Sequence, residues 1–138
     1  MQKYSKLKIY TDGASRGNPG KSSASYVLCD TNNKIVKHGS KYIGRSTNNR
    51  AEYEAVIISF QEAAKLTTGK IELFSDSKLL VNQLTGRWQV KNTELKKLHS
   101  RVKDLTKKFD SVSFRHVNRD NRYIEIADRL CNKTLDEI

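Results

Sequence analysis

Residues 8–19 read KIYTDGASRGNP. Lys8, Ile9, Tyr10 and Thr11 form a short alternating stretch, and Gly13, Gly17, Pro19 and Gly20 then break it sharply. The pattern predicts a strand over Lys8–Thr11, with Asp12 where the strand ends and a glycine-rich loop after it. An aspartate in that place is held by a rigid element yet points into open space. This suits a metal ligand or a catalytic acid better than a solubilising charge. Asp-Gly is also an ordinary turn pair, so the reading depends on other carboxylates converging on Asp12.

Outward from this stretch, Ala24–Cys29 reads as a second strand, Asp30–Asn33 as a tight turn and Lys34–Ile43 as a third strand. Together they predict an antiparallel meander. Ser46, Thr47, Asn48 and Asn49 are helix-starting residues. From Arg50 to Leu66 a stripe of Val56, Phe60, Ala63 and Ala64 predicts a helix. Ile71–Phe74 is then a short apolar strand, which a βαβ connection places parallel in the same sheet. Ser75, Asp76 and Ser77 close that strand, and Leu79–Leu84 reads as a short helix.

Thr85–Gln89 is a break that contains Trp88, the only tryptophan. A further helix is capped by Asn92 or Thr93 and carries Leu95, Leu98, Val102 and Leu105. Val112–Val117 is a fifth strand, Asn118–Arg122 a polar loop and Ile124–Leu135 a last amphipathic helix. The order βββαβααβα describes an α/β fold, a mixed sheet with helices on its faces.

The chain has 138 residues, a length that favours one domain with its own core. It contains no internal repeat, no apolar run long enough for a membrane and no apolar signal core near its N-terminus. A cytoplasmic protein without a membrane partner is the expectation. The formal net charge of +11 points first to a polyanionic partner, because Lys and Arg drive non-specific nucleic-acid affinity by neutralising phosphates. Lys96, Lys97, Arg101, Lys103, Lys107 and Lys108 recur along the long helix, a pattern that a merely solvated face would also show. Cys29 and Cys131 match no zinc or CxxC spacing. They read as buried thiols, with a disulfide between the second strand and the last helix as the alternative.

Four acids stand at element ends or starts: Asp12, Glu52 in the first turn of its helix, Asp76 after the fourth strand, and Asp128 in the last helix. Each has apolar neighbours, where a lone carboxylate is costly. Divalent cations hold such like charges together, and oxygen-only ligands favour Mg²⁺ first and Mn²⁺ next. Such a cluster beside phosphate-binding groups implies two-metal phosphodiester hydrolysis. The alternative, that each acid is a cap or an ion-pair partner, fits any one of them better than all four.

The stretches YTDGASRGNPG (10–20), STNNRAEYEA (46–55), LFSDSKLLVNQL (73–84) and ADRLCN (127–132) closely resemble type 1 ribonuclease H. The resemblance covers nearly the whole chain in the right order. It implies the ribonuclease H-like fold, a five-stranded mixed sheet whose first three strands are antiparallel. It also implies an endonuclease that cuts the RNA strand of RNA–DNA hybrids with two Mg²⁺ ions, or Mn²⁺ as substitute, held by Asp12, Glu52, Asp76 and Asp128. The same matching makes Asn18 and Asn49 minor-groove contacts, Thr47 and Asn48 a DNA-phosphate pocket, and Lys78 a backbone contact. Helix-start amides suit an anion physically, and capping is a second role open to Thr47 and Asn48. Double-stranded RNA is a further candidate substrate, and a non-catalytic hybrid-binding module is the rival from another class. A monomer is expected.

Two features depart from the best-known bacterial pattern. Thr85–Asn92 is too short for the basic protrusion of those enzymes, so the chain resembles the compact archaeal and bacterial form. Substrate binding then leans on Arg87, Lys91 and the lysine-rich helix, while Trp88 either stacks on substrate or packs in the core. The histidine that many relatives carry before the last aspartate also lacks a match at the same spacing. His116 falls two residues early and Asn118 occupies the matching place, leaving Arg119 or Arg122 as the candidate auxiliary group.

Overall fold

A computed structural model describes residues 3–138. Its elements are β1 (Lys6–Arg16), β2 (Gly20–Cys29), β3 (Ile35–Ser46), α1 (Asn48–Ala63), β4 (Lys70–Ser75), α2 (Lys78–Leu84), α3 (Thr93–Thr106), β5 (Ser111–His116) and α4 (Arg122–Asp136). The order is the βββαβααβα expected from the sequence. The five strands form one sheet in the order β3-β2-β1-β4-β5. The β1–β2 and β2–β3 pairs are antiparallel, and β4 runs parallel to both β1 and β5.

Both faces of this sheet are covered. On one, Leu7, Ile9, Leu28, Ile71 and Leu73 pack against α1, α2 and α3 through Tyr53, Val56, Phe60, Leu80, Leu84 and Val102. On the other, Tyr10, Val27 and Cys29 meet Ile124 and Ala127 of α4. Alternation along β1 therefore sends Ile9 to one layer and Tyr10 to the other, as the two-residue period of a strand requires.

Two expectations about element bounds need correction. β1 does not stop before Asp12. Its ladder with β2 continues through Gly13↔Ala24 and Ser15↔Ser22 to Arg16↔Lys21. The pairing with β4, in contrast, ends at Tyr10↔Phe74. Asp12 is thus mid-strand on one side of β1 and beyond the last pair on the other. The turn lies later, over residues 17–19, where Gly17 takes a φ of +88°.

α1 begins two residues before the expected Arg50, capped by Thr47, whose hydroxyl accepts the Arg50 amide at 3.2 Å. Glu52 therefore opens the second turn of α1 rather than sitting in the first. Both cysteines are buried and free, so no disulfide links β2 to α4. Trp88 is 49% exposed and is not a core residue. Among the described residues, no helix is long and apolar enough to cross a membrane.

Candidate active site

Asp12 projects where the β4 side of β1 has run out of partners, so the end of β4 leaves room beside it. Asp76 follows Ser75, the last residue of β4, and precedes Ser77, which caps α2 by accepting the Leu80 amide at 3.2 Å. Glu52 reaches in from α1. One carboxylate oxygen from each of Asp12, Glu52 and Asp76 lies within 4.8 Å of the others. Asp128, in the second turn of α4, lies outside that trio and is exposed, but it lines the same cavity and is near enough for its carboxyl to act on Asp12. The structure therefore brings all four predicted acids to one cavity of about 370 Å³, with Asp12 at its centre.

Burial raises the Asp12 carboxyl to about 8, and the neighbouring charges of Asp76 and Asp128 push in the same direction. Burial likewise raises Glu52 well above the ordinary range, helped by Asp12 and Asp76. The Gly13 amide, which donates to Glu52 Oε1 at 2.8 Å, works against both shifts. Asp76 is raised by burial and held back chiefly by the Arg119 guanidinium. Among the described residues, no lysine or arginine forms an ion pair with any of the four. Three close carboxylates with no ion-pair partner and only Arg119 at the rim, offering only hard oxygen donors, fit a divalent cation.

The auxiliary candidates separate. Arg119 lines the carboxylate cavity. His116 lies one step away, in an adjoining cavity shared with Asp76, Ser77 and Asn118. Arg122 is directed elsewhere, its guanidinium 5.7 Å from the Tyr123 ring centre. Asn121 caps α4 by accepting the Tyr123 and Ile124 amides at 2.9 and 3.2 Å, and this fixes the direction in which Arg122 leaves the helix.

The predicted substrate contacts gather on the α1 side. Asn18, Thr47 and Asn49 share a cavity of about 280 Å³ with Arg50 and Asn92. Asn18 Oδ1 accepts the Asn48 amide at 3.0 Å, tying the β1–β2 turn to the start of α1. Asn48 faces the carboxylate cavity instead. Lys78 opens α2 and lines a separate cleft with Arg87, Arg115 and His116. Sequence reading missed Gly13 and Glu125 as lining residues. Glu125 precedes Asp128 by three positions, a helical spacing that places both on one face.

The Reverse transcriptase-like family model matches residues 10–134. The chain is 42% identical over 132 residues to ribonuclease HI of Halobacterium salinarum, covering 96% of this chain and 65% of the relative. It is 40% identical to a bifunctional protein of Mycobacterium tuberculosis, over 95% of this chain but 36% of that protein. The chain thus spans less than two thirds of either relative. Its structure matches that of RNase H1 from Halobacterium salinarum with a TM-score of 0.92 and 41% identity, over 96% and 99% of the two chains. It matches LC11-RNase H1, solved in complex with an RNA/DNA hybrid, with a TM-score of 0.88 and 33% identity over 95% and 97%. With the sheet order, the acids at its centre and these likenesses in agreement, the chain belongs to the ribonuclease H family.

Proposed function

We propose that this chain is a single catalytic domain that hydrolyses the RNA strand of RNA–DNA hybrids endonucleolytically. The observation that carries the reading is the carboxylate trio of Asp12, Glu52 and Asp76 within 4.8 Å, with Asp128 against Asp12. The hybrid held by LC11-RNase H1, a structure of the same fold at 33% identity, supports the substrate class.

Asp12 would serve both metal sites, with Glu52 and Asp76 completing one and Asp128 the other. Mg²⁺ fits this all-oxygen set first and Mn²⁺ second. Two such ions would supply an activated water and stabilisation of the leaving oxygen. The chain's own groups do the rest. The Gly13 amide holds the Glu52 carboxylate in place. Arg119 opposes the burial-driven rise of Asp76 and presents a cation at the rim.

Asn18, Thr47, Asn48 and Asn49 receive the duplex beside the carboxylates, and Lys78 approaches from the α2 side. All four acids come from one chain, so the site is complete in a monomer. A hybrid of about 12 base pairs, near one duplex turn, labelled on its RNA strand, tests the reading. Cleavage of the RNA alone, dependent on Mg²⁺ or Mn²⁺ and abolished by EDTA, is the expected result. Binding without cleavage in either metal would instead favour a hybrid-binding module. A parallel double-stranded RNA reports whether the DNA strand is required.

A further inference from the structure

Asp12 and Asp128 belong to different elements, so something must fix the distance between β1 and α4. The face of α4 toward the sheet carries Ile124, Ala127, Cys131 and Leu135. Apolar contacts of this kind hold the helix against the sheet but do little to set its position along or around its axis. Directional contacts reach α4 from Arg16, Asn33 and Ser40 as well, but the one next to Asp128 comes from β2. Ser25 pairs directly with Asp12 in the antiparallel ladder. Its hydroxyl donates to the Ala127 carbonyl at 2.6 Å, and Ala127 immediately precedes Asp128.

The Cys131 thiol, one helical turn on, lies 3.2 Å from Ser25 Oγ and 3.4 Å from the Asp12 carbonyl oxygen. Ser25 and Cys131 are both fully buried. A hydroxyl that accepts from the thiol and donates to the helix carbonyl closes a small polar triangle in a water-free layer, where direction is strongly enforced. Its corners are the Ser25 hydroxyl, the Ala127 carbonyl and the Cys131 thiol, and the thiol lies against the Asp12 carbonyl oxygen.

From this triangle we infer that Ser25, supported by Cys131, is a positioning residue that sets the Asp12–Asp128 geometry for metal binding. The inference rests on the proposed role of those two acids. A built-in control is Ser23, whose hydroxyl donates to the Cys131 carbonyl at 2.9 Å. It ties the same helix to the same strand one turn farther from Asp128, with equal burial.

The test compares Ser25→Ala, Ser25→Cys, Ser23→Ala and Cys131→Ser with the parent. Mn²⁺ binding is read by calorimetry, hybrid affinity in EDTA, and kcat and KM in Mg²⁺, with folding checked by circular dichroism. Ser25→Ala should weaken Mn²⁺ binding and lower kcat about tenfold each, with hybrid affinity and KM unchanged, in the range of lost outer-shell partners. Cys131→Ser and Ser25→Cys keep a donor and should retain most of both; they also decide the matter if Ser25→Ala does not fold. Ser23→Ala should lose stability only. Unchanged Mn²⁺ binding in Ser25→Ala, or an equal loss in Ser23→Ala, would overturn the inference. A parent that binds hybrid but never cleaves would instead overturn the catalytic reading itself.

Discussion

The Gly13 amide donates to Glu52 Oε1 at 2.8 Å across a gap too narrow for a side chain. A Cβ placed on Gly13 would stand 2.4 Å from the Ala51 carbonyl carbon and 2.5 Å from the Glu52 nitrogen, both backbone atoms that cannot swing aside. Gly13→Ala must therefore push α1 away from β1 and carry Glu52 with it. Overpacking of this kind costs ~1–3 kcal/mol, equivalent to a fall of about 3–10 °C in melting temperature for a chain of this size. Cleavage should fall more than stability does. A Gly13→Ala protein that melts lower but cuts at the parental rate would show that the close approach serves packing alone.

Asp12 separates stability from function. Its folded carboxyl titrates near 8, above the ordinary 3.8, chiefly because it is buried. A proton held more tightly by the folded state favours folding at low pH. This stability is present below about 4 and is lost as pH rises through about 8. The EDTA-treated protein should therefore lose stability between pH 5.5 and 8, and added Mg²⁺ should raise its melting temperature more at pH 8. Asp12→Asn should stabilise the metal-free fold by roughly 1–3 kcal/mol at pH 8. The same change should reduce cleavage more than ~100-fold, beyond the cost of losing an outer-shell partner. Melting curves with and without metal at the two pH values, together with cleavage rates, check both halves.

The start of α1 was legible to within two residues because its cap is local: Thr47 satisfies the Arg50 amide three residues on, as its side-chain chemistry predicts. The extent of β1 was not legible, because Gly13 looks like a terminator in sequence. It is instead the point where α1 crosses the strand, and the ladder with β2 carries the chain past it. Four acids at related places in their elements made the carboxylate cluster readable before any geometry. Their inequality was hidden, since the exposure of Asp128 depends on how α4 lies on the sheet. Which of Arg119 and Arg122 lines the cavity depended on the direction set by the α4 cap, which spacing alone does not encode.

Arg119 is the rim cation that restrains the burial-driven rise of Asp76. Arg119→Gln removes that restraint, so the Asp76 carboxyl should titrate at higher pH. The acidic limb of the cleavage profile should move up in pH, with the rate at high pH affected less. Arg122→Gln is the control, because that side chain lies over Tyr123 rather than in the cavity. Profiles from pH 5.5 to 9 at saturating Mg²⁺ distinguish the two. Equal shifts in both variants would mean that overall charge, not the Arg119 position, is responsible.

Asn18 joins the β1–β2 turn to α1 through the Asn48 amide at 3.0 Å and lines the cavity with Thr47, Asn49 and Arg50. Both partners are exposed, so its loss should change the melting temperature little. For a duplex laid across this edge, however, the tie fixes the spacing between the turn and the helix start. A typical hydrogen bond is worth about 0.5–1.5 kcal/mol, so Asn18→Ala should raise KM for the hybrid by about 2- to 12-fold while kcat stays close to parental. Lower KCl should recover part of the affinity, since phosphate attraction to the basic surface strengthens as salt falls. A drop in kcat at unchanged KM would place Asn18 with the carboxylates rather than with the duplex.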